Sequence, residues 1–145
     1  MGRGGHAMTI LAFDCAGAAC SALLWRDGKV LARRDRKMTH GQAEVLVPMI
    51  REAMAAAGLG FLQLAAIATT LGPGSFTGLR AGLATARGLA LASGLPCYGF
   101  DTFTAFANAT SEAERAGREL LVAIDTRRDD LFVQGFDSEL RPRGE

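Results

Sequence analysis

Gly72-Pro73-Gly74-Ser75-Phe76-Thr77-Gly78-Leu79-Arg80 joins an apolar run, Leu64-Ala65-Ala66-Ile67-Ala68-Thr69-Thr70, to an Ala- and Leu-rich stretch over 79–93 that stops at Gly94, with Pro96 close behind. A short apolar run bounded by turn residues is the pattern of a buried strand, and a periodic run closed by Gly and then Pro is the pattern of a helix end. The quoted stretch is therefore a strand-to-helix turn of an α/β protein. The first turn of a helix has unpaired N–H groups and a partial positive charge, so an anion can sit there if Gly72, Gly74 and Gly78 clear the approach. The same glycines equally serve positive φ or close packing, with Ser75 or Thr77 as helix cap and Pro73 stiffening the entry. The spacing Gly72-x-Gly74-x-x-x-Gly78 is not GxGxxG, and no Lys-Ser/Thr pair follows to make a Walker A loop.

A chain of 145 residues with 49% hydrophobic and 21% charged residues can bury one sizeable core and is globular rather than disordered. The formal net charge of +1 gives no overall pull toward nucleic acid or membrane, so any nucleic-acid contact has to be local or supplied by a partner. Arg33-Arg34-Asp35-Arg36-Lys37 is the densest basic segment and reads as a solvated strand end. Cys15, Cys20 and Cys97 lie within or beside apolar runs and read as small core residues of a cytoplasmic protein. With only His6 and His40 present, no Cys/His set has zinc-like spacing. No segment approaches the ~20 apolar residues of a membrane span, so no membrane partner is expected. Residues 1–7 read as a flexible N-terminal extension or tag, with Met8 a candidate start.

Working outward from the turn, 9–14, 20–26 and 29–36 read as three successive strands, the last two joined by the hairpin signal Asp27-Gly28. A helix is expected over 42–57, with Val45, Met49, Ala53 and Ala56 near one face and Gly58 as its stop. After the glycine turn and its helix come a short strand over 96–100, a helix over 101–109 capped by Asp101 or Thr102, and strands over 119–125 and 131–137. Leu11-Ala12-Phe13-Asp14 and Val122-Ala123-Ile124-Asp125 each end an apolar strand in Asp before a turn, so one unit begins twice. The fold class expected is α/β, a duplicated ribonuclease-H-like architecture of the sugar-kinase/actin superfamily. Residues 8–100 form its first lobe, with a mixed sheet. Residues 101–145 begin a second lobe that stops after two strands and reads as truncated.

The full string Gly-Pro-Gly-Ser-Phe-Thr-Gly-Leu-Arg resembles the signature of the bacterial TsaB family of tRNA threonylcarbamoyladenosine biosynthesis proteins. Ile10-Leu11-Ala12-Phe13-Asp14, Thr39-His40-Gly41-Gln42-Ala43-Glu44, Leu46-Val47-Pro48-Met49-Ile50, Gly82-Leu83-Ala84-Thr85-Ala86-Arg87-Gly88-Leu89-Ala90 and Asp125-Thr126-Arg127-Arg128 are similar to that family's landmarks, in the same order. The resemblance covers residues 8–137. It implies a non-catalytic paralogue of TsaD that pairs with it through the first two helices, lets TsaE and tRNA engage, and forms a homodimer when alone. The partner interface so implied takes in His40, Glu44, Arg80, Gly82, Ala86 and Arg87. The residues near nucleotide or phosphate are Gly72, Gly74, Ser75, Thr77, Gly78, Asp14 and Asp125. No cofactor is intrinsic, but ATP or ADP is expected at the TsaD interface.

On the residues alone, Gly78, Gly82 and Ala86 recur every four positions and leave room for close approach of another helix or of the sheet, while Arg80 and Arg87, seven apart, share a face. His40 and Glu44 stand four apart, the spacing at which the catalytic paralogues carry two metal-binding histidines. A single His with a Glu is an incomplete ligand set, and no metal is expected. Ser75 lies outside any GxSxG elbow, and strand-end Asp14 and Asp125 suit turns better than paired acid–base work, so no catalytic residue is assigned. Two enzyme readings compete. One is a Rossmann-type oxidoreductase using Asp101 as its ribose acid, which requires a parallel βαβ start; the other is a protease acting on TsaD.

Overall fold

In a computed structural model, which describes residues 8–144, strands β1 (Thr9–Asp14), β2 (Ala19–Arg26) and β3 (Lys29–Lys37) form an antiparallel meander. The expected extension over residues 1–7 lies outside the described residues. Helix α1 (Gln42–Ala57), strand β4 (Ala66–Gly72), helix α2 (Phe76–Ser93) and strand β5 (Cys97–Asp101) follow, with β4 parallel to both β1 and β5. The sheet order is β3-β2-β1-β4-β5. Because β1 leads into an antiparallel partner and not a βαβ crossover, the dinucleotide-enzyme reading loses its structural premise. Asp101 instead caps helix α3 (Thr102–Ala109), its Oδ1 accepting from the Thr104 amide at 2.8 Å.

Alternation in the strands sets the layers. Leu11 and Phe13 of β1, Cys20, Ala22 and Leu24 of β2 and Ile67 of β4 point to one face and are buried against Leu46, Met49, Ile50 and Met54 of α1 and Ala86 of α2. At about 1.5–3 kcal/mol for each fully buried large aliphatic side chain, this cluster is the main stabilising term of the first sheet. Thr9, also fully buried, is satisfied by the Arg26 Nε–H, which donates to its Oγ1 at 2.7 Å across the strand pair. The expected apolar face of α1 needs correction: Ala56 is exposed, and Leu46, Ile50 and Met54 join Met49 and Ala53 on the buried side. Helix α1 ends as its sequence indicated, with Gly58 at φ 65° and the Leu59 amide reaching back to Met54 O at 3.0 Å.

Two elements differ from the sequence reading by more than one residue at a boundary. Helix α2 starts at Phe76 and not at Leu79, because Ser75, of the two candidate caps, accepts the Gly78 amide at 3.2 Å. Strand β4 is displaced two residues toward the turn.

The second sheet, β6 (Leu120–Asp125), β7 (Leu131–Phe136) and β8 (Pro142–Arg143), is again a sequential antiparallel meander. The expectation of two strands is thus corrected to three among the described residues. A four-residue helix α4 (Glu112–Arg115), closed by a Ser111/Glu114 capping box, connects α3 to this sheet. Ala107 of α3, Val122 and Phe136 form its small core.

Candidate functional site

The C-terminal ends of β1 and β4 lie side by side, and there the glycine turn meets the β1–β2 loop. Asp14 Oδ1 accepts the Ala16 amide at 3.0 Å and the Thr70 hydroxyl, so one carboxylate closes the β1–β2 loop and ties it to β4. The Ser75 amide donates to Ala16 O at 2.7 Å. A Cβ on Gly74 would stand 2.5 Å from Ala16 O, and one on Gly78 would collide with the Cys15 carbonyl. Gly72 has φ 108° and faces Leu79. The missing side chains therefore make room for backbone. Close packing accounts for Gly74 and Gly78, and positive φ for Gly72. These glycines do not clear space for an anion, and the Ser75 and Gly78 amides already have acceptors. Thr77, exposed on the first turn of α2, is the other residue of that set and lies on the solvent side.

Asp125 ends β6, in the second sheet, where its Oδ1 accepts the Arg127 amide at 2.7 Å. Asp14 and Asp125 thus perform the same local act, each accepting the amide two residues on, at the ends of strands in different sheets. Thr70, which sequence reasoning passed over, is the residue that links Asp14 to the neighbouring strand. Nothing in a Thr-Thr strand end marks which hydroxyl will do so.

Behind this junction a cleft of about 450 Å³ separates α3 from the sheet face opposite α1 and α2. Ala12, Leu23, Ala68 and Phe100 form its apolar wall, and Asp14, Thr70 and Asn108 its polar edge.

The residues expected at a partner surface divide into two groups. Gly82 and Ala86 are buried: a Cβ on Gly82 would lie 3.4 Å from Thr69 Oγ1, and Ala86 belongs to the main core. The small-residue stripe seats α2 on the sheet, which corrects their assignment to a partner surface. Arg80 and Arg87 are exposed on the other side, in line with Ala84 and with Phe76 and Leu91, which are 73% and 89% exposed. Arg80 lies over the Phe76 ring, 5.2 Å from its centroid. The spacing 76, 80, 84, 87, 91 is a helical stripe, which adds Phe76, Ala84 and Leu91 to the face that Arg80 and Arg87 share.

His40 and Glu44 are exposed near the start of α1 and are turned to separate tasks. His40 Nδ1 is 2.8 Å from Thr39 Oγ1, and a carboxylate oxygen of Glu44 lies over Gly41, 3.0 Å from where its Cβ would be. Among the described residues no group of three or more His, Cys, Asp or Glu is placed to hold a metal ion. Among them, too, no helix is long and apolar enough to cross a membrane.

An antiparallel meander running into parallel strands, begun a second time in the same chain, is the architecture of the sugar-kinase/actin class. A ROK hexokinase from Thermus thermophilus shares it, with TM-score 0.58 at 20% identity over 95% of this chain and 50% of that one. YeaZ from Pseudomonas aeruginosa matches with TM-score 0.83 at 29% identity, covering 95% of this chain and 65% of that chain. A family model described as TsaD, tRNA N6-adenosine threonylcarbamoyltransferase, matches residues 36–141. The tRNA threonylcarbamoyladenosine biosynthesis protein TsaB of Haemophilus influenzae is 40% identical over 126 residues, 86% of this chain and 52% of the relative. The chain belongs to the family that this model describes, in the company of the proteins named TsaB. It spans about half the length of the curated relatives it matches.

Proposed function

We propose that the chain acts in tRNA threonylcarbamoyladenosine biosynthesis as a non-catalytic scaffold, pairing with a TsaD-type transferase so that TsaE and tRNA can engage. The observation that carries this reading is the outer stripe of α2, where Phe76 and Leu91 stand exposed beside Arg80 and Arg87. Aromatic and Arg residues are enriched in interface cores, and two large apolar side chains on one helix face favour a partner over open solvent. The same stripe, meeting itself about a two-fold axis, supports a homodimer when TsaD is absent.

At the glycine turn, Cys15 and Ala16 backbone fills the space at Gly74 and Gly78 and the Ser75 and Gly78 amides are engaged, so these groups offer a phosphate little by themselves. ATP or ADP at the interface is accordingly assigned to groups that the partner contributes, and no step is routed through it here.

Sedimentation of the chain alone, with TsaD, and as the double variant Arg80→Glu/Arg87→Glu tests the proposal. Reversing two exposed charges, with loss of the Arg80 contact over Phe76, leaves folding within about 1–2 kcal/mol. Loss of both associations with an unchanged circular dichroism spectrum is expected. Undiminished pairing of a folded double variant would remove α2 as the docking face.

A further inference from the structure

Cys15 and Cys20 face each other across the β1–β2 loop, and no role described above uses their sulfur chemistry. The strand register runs from Thr9↔Arg26 to Asp14↔Ser21, and one step beyond the end of β1 the same register sets Cys15 opposite Cys20. Both side chains fall on the core face, continuing Phe13 and Ala22, and their Sγ atoms are 3.0 Å apart. Opposed residues of an antiparallel pair have Cα atoms about 4.5–5.5 Å apart, inside the ~4.4–6.8 Å that a disulfide spans. We propose that Cys15 and Cys20 form a reversible dithiol–disulfide site that clamps the loop on which the glycine turn rests.

The clamp would act where the two segments interlock. The Cys15 and Ala16 carbonyls are the surfaces against which Gly78 and Gly74 pack, and Ala16 O holds the Ser75 amide that leads into α2. Closing the loop at its ends fixes those two carbonyls. With a low-molecular-weight disulfide as oxidant, one protein thiol loses its proton and attacks a sulfur of the reagent, releasing one reagent thiol and leaving a mixed disulfide. The second protein thiolate then attacks the protein-side sulfur, the Cys15–Cys20 bond forms, and a second reagent thiol leaves. Two protein thiols are oxidised while one reagent disulfide is reduced to two thiols. Cys20 is the better first nucleophile. Burial raises both thiols; at Cys20 the contact with Cys15 and the Arg36 charge oppose that rise while the Asp14 charge adds to it, whereas at Cys15 the contact with Cys20 and the Asp14 charge both add to it. With Cys15 1% and Cys20 0% exposed, the reagent gains access when the loop opens, so oxidation follows local opening and not simple collision.

Cys97 is exposed and provides an internal reference. The test incubates the chain with oxidised glutathione, quenches with an alkylating agent in denaturant, and maps the cysteines by peptide mass. Expected are alkylated or glutathionylated Cys97 and an internal Cys15–Cys20 cross-link that dithiothreitol reverses. The cross-linked protein should have an unfolding midpoint about 5 °C higher, and its Ser75 amide should exchange hydrogen more slowly. Cys20→Ala, whose small side chain suits the site, should abolish the cross-link and both effects. Should that variant fail to fold, the reduced and oxidised wild-type samples carry the same comparison. Recovery of Cys15 and Cys20 as separate alkylated or glutathionylated residues overturns the site. A cross-link without change in midpoint or Ser75 exchange overturns the clamp.

Discussion

Gly78→Ala separates a glycine kept for packing from one kept for a ligand. In a solvent-exposed helix this change adds up to about 1 kcal/mol of stability through helix propensity. Here the new Cβ would be driven into the Cys15 carbonyl, a backbone group that no rotamer change can move aside. Overpacking of that kind costs about 1–3 kcal/mol, and a rigid obstacle places it at the upper end, so the net loss expected is about 2 kcal/mol. That is a fall of roughly 4–8 °C in unfolding midpoint for a chain of this size. Gly88, in the same helix, is exposed and would meet nothing within 4 Å, so Gly88→Ala should gain about 0.5–1 kcal/mol. Urea unfolding followed by fluorescence of Trp25, the single tryptophan, measures both. If Gly78→Ala is as stable as the wild type while Gly88→Ala shows its gain, the loop does not pack on the glycine turn, and the anion reading returns.

Asp14→Ala should cost about 1–2 kcal/mol in urea unfolding, because the Ala16 amide and Thr70 hydroxyl lose their common acceptor, whereas Asp14→Asn keeps an acceptor oxygen and should lose less. Gly82→Leu should lower stability by about 1–3 kcal/mol through overpacking against β4, without a selective effect on pairing at matched folded fraction; weakened pairing by a fully stable variant would return Gly82 to the interface. The Asp137 carboxyl is held below its usual range first by the Arg141 amide, and also by the Arg141 side chain and the Glu139 amide. A depressed carboxyl contributes stability above its unfolded value of 3.8 and loses it as pH falls through the folded value, so Asp137→Asn should flatten the acid limb of an unfolding-versus-pH curve. An unchanged acid limb would show that the turn at Asp137 does not couple to folding.

The first three strands and the longer helices were legible because they rest on local signals: a short apolar run for β1, Asp27-Gly28 for the hairpin that follows, and Gly58 and Gly94 for two helix ends. What escaped was decided across distance. A stripe of small residues reads alike whether it faces a sheet or a partner, and only the packing against Thr69 assigns Gly82 and Ala86 to the interior. The β1–β2 loop carries no two-residue turn signal, so neither the pairing of Cys15 with Cys20 nor the seat it makes for Gly78 could be set from spacing. Strand β8 is two residues long and begins with Pro142, which removes any periodic trace.

The central claim is that the chain serves TsaD and performs no transfer of its own. Threonylcarbamoyl transfer to tRNA, assayed with ATP, threonylcarbamoyl-adenylate, TsaD and TsaE, with and without this chain and its His40→Ala variant, tests it most directly. Transfer that depends on adding the chain, is nearly intact with His40→Ala, and is absent with the chain alone is the expected result. Metal-dependent turnover by the purified chain alone, abolished by His40→Ala, would contradict it.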